Sequence, residues 1–441
     1  MKIPSAVLLF VLGPALSFAA STLANPVSST PLTLDECLEL TATHQPALTA
    51  ARAGVSAATE SVGEARAPYY PQVDLNAGYH RWQRRAFLPS GLTLPSQAAP
   101  KQIGPLNDWT GGLSARVTLY DFGERKAGLE AANARQAGAE AEMVTTQADV
   151  RLSTQRAFYA LATAQDLQAV AEKNLARTER HLHLAQIRHD AGDVPLADVL
   201  RMQAEVANAQ LQLIGTQSSV RISTGRLNTV MGRAAETPLA IAALTDTPPP
   251  PMPDDLGPAI NRALAQRPEL TAAEKRTDAA RAMMNAARAG RAPKLRADAS
   301  YGWNDTTWVP ETQEWQAGLS IDVPVFDAGR RTHRVNRSRA ELAREQATLE
   351  NRELQIRQEV WAASVELDRS WASIAANETA LRASEESLRV VQERYQNGAA
   401  VITDLLDTQT ALARAEASLA GARWDYLNAR ADYDRATGAT P

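Results

Sequence analysis

The sequence predicts a mainly α-helical chain with a small β part. It is a duplicated unit of long antiparallel helical hairpins with four β-strands per chain. Three observations predict this. First, the chain is written twice: Trp109-Thr-Gly-Gly-Leu-Ser and Trp315-Gln-Ala-Gly-Leu-Ser open blocks that stay in register at 315 minus 109, or 206, residues. The pairs Gly112/Gly318, Asp121/Asp327, Gly123/Gly329, Arg125/Arg331, Arg188/Arg394, Gly192/Gly398, Asp198/Asp404 and Gly232/Gly438 keep that offset. So long a period exceeds that of solenoids, and each copy must be a complete structural half. Second, two proline-free stretches run helical for sixty-odd residues. Third, four short segments alternate apolar and polar residues.

Residues 1–24 read as a secretory signal peptide: one cation at Lys2, an apolar run to about Ala20, and small residues for cleavage after Ala19, Ala20 or Ala24. No cysteine lies near that cleavage region, which argues against a lipoprotein anchor. The sole cysteine, Cys37, has no disulfide partner and falls on the apolar side of a helix, as a buried structural thiol would. Beyond the signal no stretch approaches the ~20 apolar residues of a membrane helix. If the protein crosses a bilayer, it does so with strands. A composition of 44% hydrophobic and 5% aromatic residues suits long packed helices, and a net charge of −4 advertises no nucleic-acid partner.

The first repeat spans residues 25–246. A half helix starts at Leu34, where Thr33 and Glu36 have capping-box spacing, and ends at Ala67-Pro68; Pro46 kinks or splits it. The second repeat, residues 254–441, follows the same plan from Leu256, with Pro268 matching Pro46 and Ala292-Pro293 matching Ala67-Pro68. Between them, residues 247–253 form a stiff proline-rich linker.

The pattern then switches to period two, in β-hairpins at 69–120 and 294–326. Val73, Leu75, Ala77 and Tyr79 alternate with polar residues, as do Leu113 to Leu119, Leu295 to Trp303 and Ala317 to Val323. Strands of about ten residues with this dyad pattern match transmembrane β-strands. Tyr79, Trp82, Trp109, Trp303 and Trp315 cluster at strand ends, where an interfacial aromatic girdle would sit. The loop from His80 to Asp108 reads as an exposed outer loop. An ordinary half-buried sheet of a soluble domain is the competing reading of the alternation.

Helical hairpins follow at 124–231 and 330–437. Each rod of sixty-odd residues is roughly 100 Å long and reverses at a glycine, in Asp190-Ala-Gly192 and Gln396-Asn-Gly398. Small seams such as Ala127, Ala131, Ala134 and Ala141 let such rods pack side by side. Four strands cannot close a barrel, and open edges in lipid leave backbone groups unsatisfied. Membrane-embedded strands therefore demand an oligomer, and three chains supply twelve.

This order of elements resembles the TolC family of trimeric outer-membrane efflux and secretion ducts over the whole mature chain. The resemblance rests on Leu32-Thr-Leu-Asp35 with Ala47, Arg66-Ala-Pro68 with Pro71-Gln72, and the corners Leu119-Tyr-Asp-Phe-Gly123 and Val325-Phe-Asp-Ala-Gly329. The tips Ala191 to Asp198 and Tyr395 to Asp407 complete it. It implies a homotrimer in outer-membrane lipid, its four strands per chain contributing to a trimeric 12-stranded transmembrane β-barrel and its helical hairpins forming an α-barrel that extends into the periplasm. Such a passive duct is joined by a periplasmic adaptor to an inner-membrane RND or ABC pump and closed by its hairpin tips.

By the same resemblance, Asp404 and Asp407 match the acidic pair that rings the entrance, with Asp198 the first-copy counterpart of Asp404. Carboxylates crowded at a narrow mouth would attract cations and raise one another's pKa. The competing role for Asp404 and Asp198 is a first-turn charge favoured by the helix dipole. Tyr395 matches a tyrosine that holds the closed state against a neighbouring hairpin. A family arginine is here Ala400, and Arg201 stands at the first-copy position of Asp407, so an Arg201–Asp407 pair is the substitute lock. Gly192 and Gly398 match the adaptor-docking tips, or serve only as turn residues.

The chain shows no nucleophile motif, phosphate loop or catalytic carboxylate pair, and the expectation is a non-enzyme with no cofactor and no metal. His181, His183 and His189 do not share one helix face as a metal site would need. A periplasmic coiled-coil protein without a pore is the alternative outside the ducts; within them, a type I protein secretion channel stands beside drug or metal efflux.

Overall fold

The computed structural model describes residues 31–82, 86–87, 102–103, 107–242, 255–308 and 313–439. The signal peptide, the proline-rich linker and most of the His80–Asp108 loop lie outside the described residues. The helices are α1 (Leu34–His44), α2 (Pro46–Arg66), α3 (Glu124–Asp190), α4 (Leu196–Val230), α5 (Leu256–Gln266), α6 (Pro268–Ala289), α7 (Arg330–Gln396) and α8 (Ile402–Thr437). The strands are β1 (Gln72–Arg81), β2 (Ala86–Phe87), β3 (Gln102–Ile103), β4 (Asn107–Tyr120), β5 (Lys294–Asp305) and β6 (Glu314–Asp322). Among the described residues no helix is long and apolar enough to cross a membrane.

Local chemistry sets the boundaries. Thr33 caps α1 through a complete capping box, its backbone N–H donating to Glu36 at 2.8 Å. Pro46 splits the first half helix rather than bending it: Gln45 is extended, and Pro46 opens α2 at a position whose N–H needs no partner. Arg267 and Pro268 repeat the arrangement between α5 and α6. One feature absent from the periodicity is a parallel bridge between Leu32 and Ile241, which ties the start of the described chain to the segment after α4.

Each β-to-α corner has one construction. Phe122 and Gly123 adopt φ of 55° and 92°, and Ala328 and Gly329 adopt 51° and 83°, which turns the chain sharply into α3 and α7. Asp121 accepts from the Gly123 N–H at 3.2 Å, the Arg125 N–H at 3.0 Å and the Arg125 side chain at 2.8 Å. Asp327 does the same with Gly329 and Arg331, at 3.1 Å each from the backbone. Burial works to raise the Asp121 pKa, but the bonds from Arg125 and Gly123 outweigh it and hold the carboxyl below its usual range. Arg125 also reaches the Pro68 carbonyl at 3.0 Å, and Arg331 reaches that of Gly290 at 3.0 Å, so each corner is pinned to the end of its half helix.

The apolar core is strung along the rods. Cys37, Phe158, Leu161, Leu227 and Met231 bury one cluster where α1 meets α3 and α4; burial pushes the Cys37 thiol up to about 11, so it stays a neutral packing group. Leu270, Ile356, Val360, Leu367 and Tyr426 form a second cluster, and a third lies at the hairpin tips. Fully burying each Leu, Ile or Phe contributes about 1.5–3 kcal/mol.

Beside the second cluster sits a buried ionic group. Arg267, Glu269 and Arg435 are only 4%, 8% and 8% exposed. Glu269 accepts from Arg267 at 3.2 Å and from Arg435; Arg435 also pairs with Asp149 at 2.7 Å, and Arg267 with Glu359. The group therefore joins α3, α6, α7 and α8. Burial alone would raise the Glu269 pKa, but hydrogen bonds from the two arginines pull it down to about 2. Because the folded pKa lies below the unfolded one, this stabilisation is complete above about pH 4.5 and is lost as pH falls towards 2. It amounts to at most about 3 kcal/mol, less where water screens the cluster. Thermal melts followed by circular dichroism should thus show a steeper loss of Tm between these limits for the wild type than for Glu269→Gln.

Candidate functional site

Two regions of the fold can do the work of a conduit: the sheet at one end of the rods and the hairpin tips at the other. The sheet runs β1-β4-β5-β6, antiparallel throughout, with β1 and β6 as open edges. Its register aligns Leu75, Leu113, Tyr301 and Trp315 in one row, and Val73, Ala115, Ala299 and Ala317 in the next. Polar rows alternate with these, such as Asp74, Ser114, Ser300 and Gln316. Among the described residues no helix covers the apolar face: Leu75, Leu319 and Trp315 are 76%, 72% and 78% exposed. An uncovered sheet face this apolar requires an apolar solvent or a partner. The soluble-sheet reading, which needs one half of the alternation buried, finds no cover here.

Among the aromatics, Tyr79 packs on Trp109 at 4.4 Å between ring centroids and donates to Asn107 at 3.0 Å. Trp109 meets Trp308 edge-on at 5.0 Å, and Trp82, just beyond β1, donates to Asp108 at 3.3 Å. Trp303 packs against Gly111, where a Cβ would collide with the indole. Trp315 projects from the edge strand β6. All five sequence-predicted aromatics thus stand on or beside the sheet, towards its hairpin ends.

At the tips, Gly192 and Gly398 have φ of 85° and 72°, with open space where a Cβ would lie. Gly192 and Asp193 donate back to His189 and Arg188, and Gly398 and Ala399 donate back to Tyr395 and Arg394, which closes both helices with the same left-handed cap. Tyr395 is buried among Ala185, Val199, Met202, Leu388 and Leu405. Arg188 donates to the Tyr395 carbonyl at 2.7 Å and stacks over its ring at 5.1 Å. Burial raises the Tyr395 pKa, and its hydroxyl has no hydrogen-bond partner within the described residues. Asp404 and Asp407 project to solvent one turn apart on α8, Asp198 is half-buried in the first turn of α4, and Arg201 is exposed. No Arg201–Asp407 pair forms within the chain.

Arg188 is the tip residue that pattern reading left without a role. Its pairing with Arg394 across the repeat was the available signal. Of the histidines, His181 is buried, with its pKa lowered first by burial and then by Arg180 and Arg177. His183 is exposed, and His189 contacts the Val194 carbonyl at 3.0 Å. The three do not converge.

A family model described as outer membrane efflux protein matches residues 37–233 and 259–439. The chain belongs to the outer membrane efflux protein family. As a member it is an outer-membrane duct of tripartite efflux or secretion systems, and it extends into the periplasm. It is similar to Protein CyaE of Bordetella pertussis, at 29% identity over 86% of this chain and 78% of that relative. The pyoverdine export outer membrane protein OpmQ of Pseudomonas aeruginosa is 26% identical over 92% of this chain and 85% of its own length. Among solved structures, the outer membrane protein VceC of Vibrio cholerae shares the fold with a TM-score of 0.78, at 22% identity, over 92% of this chain and 96% of that one. CusC superposes with a TM-score of 0.81, at 17% identity and 92% coverage of both chains.

In this efflux-family chain the tip glycines are required for backbone conformation, not for space. Gly398→Ala should therefore cost the cap about 1–2 kcal/mol without a steric clash. Faster amide exchange confined to the residues around 394–399 would report it.

Proposed function

We propose that three copies of this chain, each with residues 1–24 removed and with 25–246 and 254–441 as its two halves, close a 12-stranded barrel in the outer membrane. The single observation that carries this is the open-edged sheet with an uncovered apolar face, joined rigidly to rods of 67 residues. Edge β1 of one chain would pair with edge β6 of the next, satisfying every backbone group that lipid would leave bare. Tyr79, Trp82, Trp109, Trp303 and Trp315 would then sit at the membrane interface. The rods continue the barrel as a helical tube of about 100 Å.

At the far end the tips form the gate. Threefold symmetry would gather Asp404 and Asp407 into rings of carboxylates, and Arg201 would pair with Asp407 of the next chain; the Tyr395 hydroxyl is enclosed within its own chain, so Tyr395 would support the tip by packing between the two hairpins. Gly192 and Gly398 would receive the tips of a periplasmic adaptor, which links the duct to an inner-membrane pump of the RND or ABC type. The name of OpmQ supports small-molecule export as a cargo class.

Single-particle imaging of the detergent-purified mature protein, with its mass measured in the same preparation, should show a trimeric cylinder well over ~100 Å long with one detergent-belted end. A soluble monomer or dimer without a belt would overturn the barrel. In planar bilayers, Asp404→Ala with Asp407→Ala should weaken block by divalent cations and alter conductance; an unchanged channel would remove the gate assignment and leave the duct standing.

A further inference from the structure

The corner between β6 and α7 carries charge that the corner between β4 and α3 lacks. A cavity of about 220 Å³ there is lined by Lys294, Arg330, Arg331 and Arg334, with Glu124 as its one carboxylate. Lys294 pairs with Glu124, and Arg331 is held by Asp327 at 3.0 Å and by the Gly290 carbonyl at 3.0 Å. Four cations against Glu124 and Asp327 leave two, Arg330 and Arg334, and neither side chain has an ion-pair or hydrogen-bond partner among the described residues. A second groove continues from the first, shares Arg334 and Ala287 with it, and adds Arg337 and Arg344, which pair with Glu341 and Glu345.

The duplication supplies an internal control. At the offset of 315 minus 109, or 206, residues, Arg331 matches Arg125 and does the same structural work. Arg330, Arg334 and Arg337 match Glu124, Gly128 and Ala131, so the turn and the first turns of the helix form without those cations. The first turn of α7 has no acidic residue and starts Arg330-Arg331, where the helix dipole disfavours positive charge. Arg330, set against the dipole, and Arg334, one turn on, are both exposed and line one cavity without an ion-pair partner among the described residues, an arrangement that an anion would neutralise. Planar guanidinium pairs suit a phosphate-type oxyanion best.

We propose that this cavity binds a phosphate-type oxyanion through Arg330 and Arg334, with Lys294 and Arg331 as supporting charges. Its depth rests on the barrel reading. Lys294 stands opposite Asp322 in the strand register, one residue from the lowest apolar row, Leu295 and Ile321, so the cavity lies where the apolar band ends. At that level the oxyanion has two sources: a free phosphate-bearing solute in the duct or the headgroup of an anionic phospholipid.

The test uses the full mature trimer in neutral detergent, its mass recorded in every preparation so that loss of the trimer is read separately from loss of binding. Inorganic phosphate is titrated against thermal stability, and phosphatidylglycerol retention is compared with phosphatidylethanolamine by native mass spectrometry. Arg330→Gln with Arg334→Gln should weaken the effective ligand by about tenfold or more, each single variant should lose part of that, and Arg339→Gln, outside the cavity, should lose none. A phosphate response that the double variant lacks assigns a free anion. Selective phosphatidylglycerol retention that it lacks assigns the headgroup. Wild type and double variant equal in both arms would overturn the proposal; were the double variant unfolded, the two single variants equal to wild type would do the same.

Discussion

The carboxylates of Asp121 and Asp327 hold the rest of the molecule in place. Each sits where a strand with a two-residue period must become a helix of 3.6, and each receives two backbone N–H groups and an arginine. The left-handed pair of residues beside it makes the turn sharp, and the arginine carries the constraint on to the end of the half helix. Without that clamp the turn between sheet and rod would lose its shared anchor. With it, the strand direction sets the rod direction.

Along the rods, apolar burial supplies the energy and polar pairs supply the register. Seams rich in alanine bring α3 against α6 and α8, but a seam of small residues tolerates sliding. Pairs that cross between the rods resist it: Arg177 with Glu416, Gln409 with Thr178, Trp424 with Asp166, and the group around Glu269. Breaking a buried pair costs more than forming it gains, so such contacts specify one alignment more than they stabilise it. That alignment matters most at the tips, where Arg188 of one hairpin grips the Tyr395 carbonyl of the other.

The two ends of the chain carry opposite charge characters. Asp198 and Asp404 stand in the first turns at the tips, and Arg330 and Arg334 stand at the foot of the sheet without ion-pair partners among the described residues. The first arrangement agrees with the helix dipole and so has a structural explanation beside a functional one. The second runs against the dipole, and structure alone does not account for it.

Much of the architecture was legible in the sequence because its signals are periodic. Proline-free runs, alternation over ten residues and glycines at reversals each express a backbone requirement that no tertiary partner changes, and Pro46 and Pro268 marked real breaks. The tertiary structure alone decided which side chains meet across long separations: Leu32 with Ile241, Arg188 with Tyr395, Arg435 with both Asp149 and Glu269. It also decided that Arg201 and Asp407 do not pair within the chain and that Arg330 and Arg334 share a cavity. Periodicity states which face of an element is apolar. The azimuth and axial register of one rod against another depend on packing that a one-dimensional pattern does not encode.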